Sequence, residues 1–240
     1  MKTRNLFIAF VAVFALSSCH FDINLGQIDG NGNVTTQDRQ VDGDFHIVKG
    51  SSGIDVYLTE GSENKIVVEA DENLQDIIET VVMDGKLTIR TSENIGRSKS
   101  KKVHVTFTNL DGIMASSGSD VMSNSVIKSE SLNLDASSGA DLELEIIANT
   151  VYAETSSGAD MKISGKASSL SAKASSGSDI NAKELLVVSC NADASSGADI
   201  TVNVKDRLDA EATSGGDVHY FGNPAAVNNK GSRSGGVHKM

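Results

Sequence analysis

Tryptophan is absent from the 240 residues, proline occurs once and cysteine twice. Aromatic side chains make up only 4% of the chain. Three of the seven phenylalanines, Phe7, Phe10 and Phe14, lie close to the start, which leaves Phe21, Phe45, Phe107, Phe221 and three tyrosines for everything else. A globular core of ordinary thickness draws on more aromatic bulk than this. The shortage therefore excludes a thick core and points to a thin one lined by small residues. Two cysteines, Cys19 and Cys190, exclude a disulfide framework. Scattered histidines (His20, His46, His104, His219, His238) without HExxH or Cys/His spacing give no zinc motif. No glycine-rich phosphate loop precedes a helical pattern. Basic residues are outnumbered 21 to 32 by acidic ones, a net charge of −11, which excludes nucleic acid and anionic lipid headgroups as partners.

The first residues read as a processing signal. Lys2 and Arg4 precede an apolar run from Leu6 to Leu16, too short to span a bilayer and of the length of a signal-peptide core. Leu16-Ser17-Ser18-Cys19 resembles a bacterial lipobox, in which Cys19 becomes the lipidated first residue. Residues 1–18 are thus expected to be a lipoprotein signal peptide. Its loss, with Lys2 and Arg4, takes the charge from −11 to −13. Cys190 is then unpaired and reads as a small core residue. Residues 19–43, rich in Gly, Asn, Asp and Gln and without a period, read as a flexible tether.

Residues 44–112 alternate like strands. Ile54, Val56 and Leu58 share one face, "VVMDGKLTI" is a strand, an Asp-Gly turn and a strand, and "DENLQDI" suits a short helical turn. Arg97, Lys99, Lys101 and Lys102 form a basic patch on a polar loop.

From residue 113 to 240 one signature recurs: "DASSGADLEL", "ETSSGADMKI", "KASSGSDINA", "DASSGADITV", "EATSGGDVHY". Its glycines, Gly118, Gly139, Gly158, Gly177, Gly197 and Gly215, are separated by 18–21 residues, with an echo at Gly235. Gly53 lies 65 residues before Gly118, as if a hairpin insertion had opened an earlier coil. A period near 20 with alternating apolar residues predicts an all-β parallel β-helix, a β-solenoid of about 20 residues per coil, preceded by a smaller β region and continuous with it.

Alternation sorts the signature by face. The second serines (Ser117, Ser138, Ser157, Ser176, Ser196, Ser214) share parity with the apolar positions and are expected to point inward, passing hydrogen bonds along the stack. The glycines allow a bend or a close backbone approach. No histidine recurs beside the serines, so none reads as a nucleophile. Asp120, Asp141, Asp160, Asp179, Asp199 and Asp217 have outward parity and are expected to stack as a column along one edge. Their mutual repulsion calls for an offset, either backbone N–H groups at the glycine bend or a row of calcium ions. One carboxylate per coil is sparser than calcium-binding β-rolls use, so no metal is assigned. Tyr57 and Tyr152 point outward, where they could stack on sugars.

"FHIVKGSSGIDVYLTEG", "VVEADENLQDIIETVVMDGKLTIRT" and the "SSGADL" coils together resemble the auto-transporter adhesin head GIN domain family, DUF2807. Asp55 stands where the family has an Asn-like position. The resemblance covers about residues 44–221. It implies a parallel β-helix after a smaller β region, on secreted or lipid-anchored proteins typical of Bacteroidetes, and it carries no catalytic residue onto this chain.

The resulting expectation is a non-catalytic lipoprotein of the cell envelope, anchored in the outer membrane by Cys19 and either surface-exposed or facing the periplasm. Its repetitive face would serve adhesion, binding an extended ligand, a glycan or an envelope or host protein, without a cofactor. Two alternatives compete. One is a polysaccharide-active β-helix enzyme, since such folds place clustered acids on an outer face. The other is a structural lipoprotein facing the periplasm.

Overall fold

The computed structural model describes residues 26–240. The signal segment, Cys19 and the start of the expected tether lie outside those residues. Among the described residues the chain is 67% strand and 3% helix, wound as a β-solenoid of about seven turns with about 19 residues each. No helix among them is long and apolar enough to cross a membrane.

The strands follow the alternation of the sequence. The first nine are β1 (Val34–Arg39), β2 (Ile47–Gly50), β3 (Asp55–Glu60), β4 (Lys65–Asp71), β5 (Ile78–Met83), β6 (Lys86–Thr91), β7 (Lys101–Phe107), β8 (Gly112–Ala115) and β9 (Asp120–Ser123). Long strands then carry the repeats: β10 (Ile127–Ser137), β11 (Asp141–Ser156), β12 (Asp160–Ala174), β13 (Asp179–Ser195) and β14 (Asp199–Thr213). Three short strands, β15 (Asp217–Phe221), β16 (Ala226–Gly231) and β17 (Gly236–Lys239), complete the stack. A 3₁₀ turn occupies Glu72–Ile77, where a helical turn was expected. The Asp84-Gly85 turn joins β5 and β6 as an antiparallel hairpin, with both residues at positive φ as an Asp-Gly hairpin requires.

The coils do not stack in chain order. β2 and β3 form a coil that pairs in parallel with β8 and β9 on one side. On its other side it pairs with β6 and β7, although these come later in the chain. The insertion thus doubles back and supplies the outermost parallel coil. β5 then pairs antiparallel with β6, β4 with β7, and β1 with β4. These antiparallel strands close the first end. β1 and the bridge from Ile28 to Ile95 lie within residues 19–43, so the part of the expected tether from Ile28 to Arg39 is built into the end layer. Its polar strand VTTQDR needs no buried face of its own, and its weak alternation hid it.

Each long strand crosses both faces of a flattened coil. In β11 the buried positions are Leu142, Leu144, Ile146 and Ala148, then Val151, Ala153 and Thr155. Parity slips between Ala148 and Val151, which marks the corner between the two faces. The opposite corner is the Ser-Gly turn. Ser157 and Gly158 have φ of 56° and 69°, and Ala159 N–H donates to the Ser156 carbonyl at 3.3 Å, as in a type I′ turn. All six signature serines, Ser117 through Ser214, are left-handed and exposed. The expected inward serine column is therefore wrong. Two successive positive φ values reverse the chain, so the parity that holds on either side of the turn does not hold within it. The inward position is the one after the glycine: Ser119, Ala140, Ala159, Ser178 and Ala198 are fully buried. Where it is a serine its hydroxyl is satisfied, Ser178 Oγ by donation to Thr155 Oγ1 at 2.9 Å and Ser119 Oγ by donation to the Gly50 carbonyl at 3.0 Å.

A second element holds the first end. Asp71 is fully buried, and its carboxylate accepts the backbone N–H groups of Gly32 (2.9 Å) and Ser100 (3.0 Å) and, more distantly, of Lys99 (3.2 Å). Burial alone would raise its pKa, but these donors and the Lys99 charge outweigh it and hold the carboxyl below its ordinary value. Its stabilisation is present above the ordinary carboxyl pKa and is lost as pH falls through the lower folded value.

Asp71→Ala leaves buried donors without an acceptor and is expected to lower stability by about 2–3 kcal/mol, a fall in Tm of roughly 5–10 °C in thermal unfolding at pH 7. Gly158→Ala places a Cβ at positive φ and is expected to cost about 1 kcal/mol. Ser157→Gly is expected to stay within about 0.5 kcal/mol of the parent, because relief of the left-handed serine offsets the added freedom of the unfolded chain. A large loss with Ser157→Gly would mean that the hydroxyl, and not the turn, is what the position needs.

Candidate functional site

Because every coil is in register with the next, outward residues form rows. The aspartates are the longest. Asp55 pairs with Asp120, then Asp141, Asp160, Asp179, Asp199 and Asp217 follow, each opposite its neighbour. The sequence reading found six of these and missed Asp55. Its "SSGID" fits the signature, but the 65-residue gap concealed that its coil sits beside the second one.

The glycine N–H groups do not offset this row. They donate to the serine carbonyl of the following coil: Gly118 to Ser138, Gly139 to Ser157, Gly158 to Ser176, Gly177 to Ser196 and Gly197 to Ser214, at 3.1–3.2 Å. Relief comes in single contacts instead, such as Asp199 N–H to Asp179 Oδ1 at 3.3 Å and Gly236 N–H to Asp217 Oδ1 at 2.8 Å. The carboxyls of Asp120, Asp141 and Asp160 are accordingly raised. Partial burial is the larger cause in each, and the neighbouring aspartates are the next: Asp55 for Asp120, Asp120 for Asp141, and Asp179 and Asp141 for Asp160. Among the described residues no three His, Cys, Asp or Glu side chains converge where they could hold a metal ion.

The face built from the second half of each coil carries a groove of about 610 Å³. Two outward rows line it. One runs Gly112, Asn133, Tyr152, Ser171, and the other Met114, Asp135, Glu154, Lys173. Gly112 is buried at the end of the first row with the Ile47 side chain close against it, and Tyr152, half exposed, stands two positions along. Asn133 is held by donation from Nδ2 to the Asp111 carbonyl at 3.3 Å. Asp135 is partly buried, and its carboxyl is raised by that burial and by the adjacent Glu154, against the attraction of Lys49. A second, smaller hollow of about 310 Å³ lies on the other face beside Tyr57, which stacks on His104 at 5.3 Å between ring centroids.

The remaining candidates separate. Lys102 lies 5.8 Å from the Tyr57 ring centroid, whereas Lys99 stands beside Asp71, so the basic patch is divided between two surroundings. Cys190 is buried and its thiol is pushed up to about 12, which makes it an inert core residue as expected. His219 and His238 stack at 5.4 Å in the last coils, a pairing that their 19-residue separation left unnoticed.

A raised aspartate favours its protonated form in the folded state, so the row opposes folding when ionised, and the opposition fades as pH falls through the raised values. Asp160→Asn is expected to raise stability at pH 7 by less than about 1 kcal/mol, read as a small rise in Tm, because the row is solvent-screened. The gain is expected to vanish near pH 3 and to be equal in chelator and in millimolar calcium. A loss of stability confined to calcium would show that the row holds ions.

Several solved structures share this fold. A putative adhesin from Bacteroides fragilis superposes with a TM-score of 0.82 at 19% identity, covering 89% of this chain and 100% of its own. A putative adhesin from Parabacteroides merdae gives 0.70 at 20% identity, covering 90% and 99%. A putative lipid binding protein from Parabacteroides distasonis gives 0.68 at 18% identity, covering 88% and 99%. No curated protein matches the chain. Residues 44–224 match the family model "Putative auto-transporter adhesin, head GIN domain", and the chain belongs to that family.

Proposed function

We propose that the protein is a lipid-anchored adhesin of the cell envelope, tethered through Cys19 and presenting the solenoid faces to an extended ligand outside the cell. The observation that carries this is the register of the coils. In-register stacking turns each outward position into a straight row at the coil spacing of about 4.8 Å, a template for ligands that themselves repeat. The groove beside Tyr152 breaks the uniformity of one face and gives it a place where a ligand can be held. Family membership supports the adhesin role, and the lipobox-like Leu16-Ser17-Ser18-Cys19 supports the anchor.

The reading takes no catalysis. The aspartates are spaced one per coil at equal intervals, a ladder and not the local convergence of acid, base and substrate cleft that a polysaccharide-cleaving site needs. Nor does it take an anionic partner, because the net charge repels one.

Protease treatment of intact cells, against cells with a permeabilised outer membrane, tests the location. Digestion of the tagged protein on intact cells is expected, and Cys19→Ser is expected to move it from the membrane fraction to the soluble one. Protection until permeabilisation would overturn the adhesin reading in favour of a protein that faces the periplasm.

A further inference from the structure

The groove on the β8–β10–β11–β12 face is about twice the volume of the hollow beside Tyr57, and its tyrosine is the more exposed of the two. Its hollow is within the range of roughly 300–1,000 Å³ typical of small-molecule sites. The exposed Tyr152 ring offers an apolar surface with a polar tip. Around it, Asn133, Asp135 and Glu154 supply an amide and two carboxylates, and Lys173 supplies an ammonium group. Tyr152 stands between Asn133 and Ser171 in one row, and Glu154 between Asp135 and Lys173 in the next. Adjacent residues in a row are about 4.8 Å apart, and the rows lie two residues apart along the strands, roughly 6.8 Å.

Charge and hydrogen bonding narrow the occupant. A hydrocarbon chain would cover Asp135 and Glu154 and return no hydrogen bond, which is costly for any carboxylate taken out of water. A peptide strand has no free edge to extend, because the groove lies on a sheet face where the β10, β11 and β12 backbones are already paired. An anionic ligand meets Asp111, Asp135 and Glu154 against Lys173. A neutral sugar meets none of these objections. Its C–H face suits an aromatic ring, its vicinal hydroxyls suit carboxylate and amide acceptors, and its length is of the order of one coil spacing.

We propose that this groove is a subsite for one neutral hexopyranose unit of a polysaccharide, with the Tyr152 ring against the sugar's C–H face and Asn133, Asp135 and Glu154 engaging its hydroxyls. The proposal deepens the adhesin reading and rests on it for its biological setting. The sugar unit binds unchanged, and no bond is made or broken.

Affinity electrophoresis of the purified chain tests it, in gels cast with soluble neutral hexans (glucans, mannan, galactomannan) and, separately, with anionic polyuronate. Retardation by at least one neutral hexan is expected, with little in polyuronate. Tyr152→Ala is expected to weaken it at least tenfold and Asp135→Asn several-fold, whereas Met83→Ala, on the exposed β5–β6 hairpin away from both hollows, leaves it unchanged. Tyr152 is half exposed, so circular dichroism of its variant is expected to match the parent. Should that variant misfold, Glu154→Gln carries the same expectation of several-fold weakening. No retardation in any neutral gel, undiminished retardation of Tyr152→Ala, or retardation confined to polyuronate would overturn the subsite. Shortened oligosaccharides after incubation would overturn it in favour of an enzyme. The cell-surface reading fails separately: a chain shielded in intact cells but retarded in the gels keeps the subsite and loses the adhesin.

Discussion

The rest of the structure depends on one backbone hydrogen bond repeated at every corner, the glycine N–H of one Ser-Gly turn donating to the serine carbonyl of the next. The bond requires both residues to be left-handed. Glycine takes that conformation freely, and a small side chain outside the corner takes it at modest cost. A Cβ on Gly118, Gly139, Gly158, Gly177 or Gly197 would meet nothing within 4 Å, so the conformation, and not close approach, selects glycine there. Once the corners are tied, a strand cannot slip relative to its neighbour without breaking a corner bond. Register then dictates the interior, because identical positions stack, and from the second coil on only small residues occupy the inward positions beside the turn.

The same register generates the outer surface. It aligns seven aspartates that repel one another, and it places Tyr152 between Asn133 and Ser171 in the row that lines the groove. The two acidic features have opposite energetics. In the row, partial burial and neighbouring aspartates raise Asp120, Asp141 and Asp160, which oppose folding when ionised, while Asp71, surrounded by backbone donors, is held low and supports folding. The ends are managed differently again. Antiparallel strands cover the first end. At the last, the strand β16 is exposed throughout, with Asn229 opposite the buried Ala210 and Lys230 opposite Glu211. A polar residue at an inward position and a lysine on an open edge both discourage further strands from adding.

The period, the alternation and the Asp-Gly hairpin were legible in the sequence because each is a local pattern with a single structural meaning. What was not legible is non-local or lies where alternation fails. Ser138 and its equivalents were placed inward because parity was carried through a turn that interrupts it. The 65-residue gap showed an opened coil, but nothing in a linear chain announces that the insertion folds back to stack β6 and β7 ahead of it. Asp55 went missing from its row for the same reason. Tyr152 was noticed as an outward tyrosine, but its groove is lined by residues from His46 to Lys173, and only the stacking order brings them together.

Native-state hydrogen exchange at the corner glycines tests the central claim most directly. If the turn-to-turn bond holds the register, the amides of Gly139, Gly158, Gly177 and Gly197 exchange as slowly as those of the buried strand positions beside them, despite lying on exposed residues. Rapid exchange at these four glycines, with the strands still protected, would contradict it and move the origin of the register to the packing of the core.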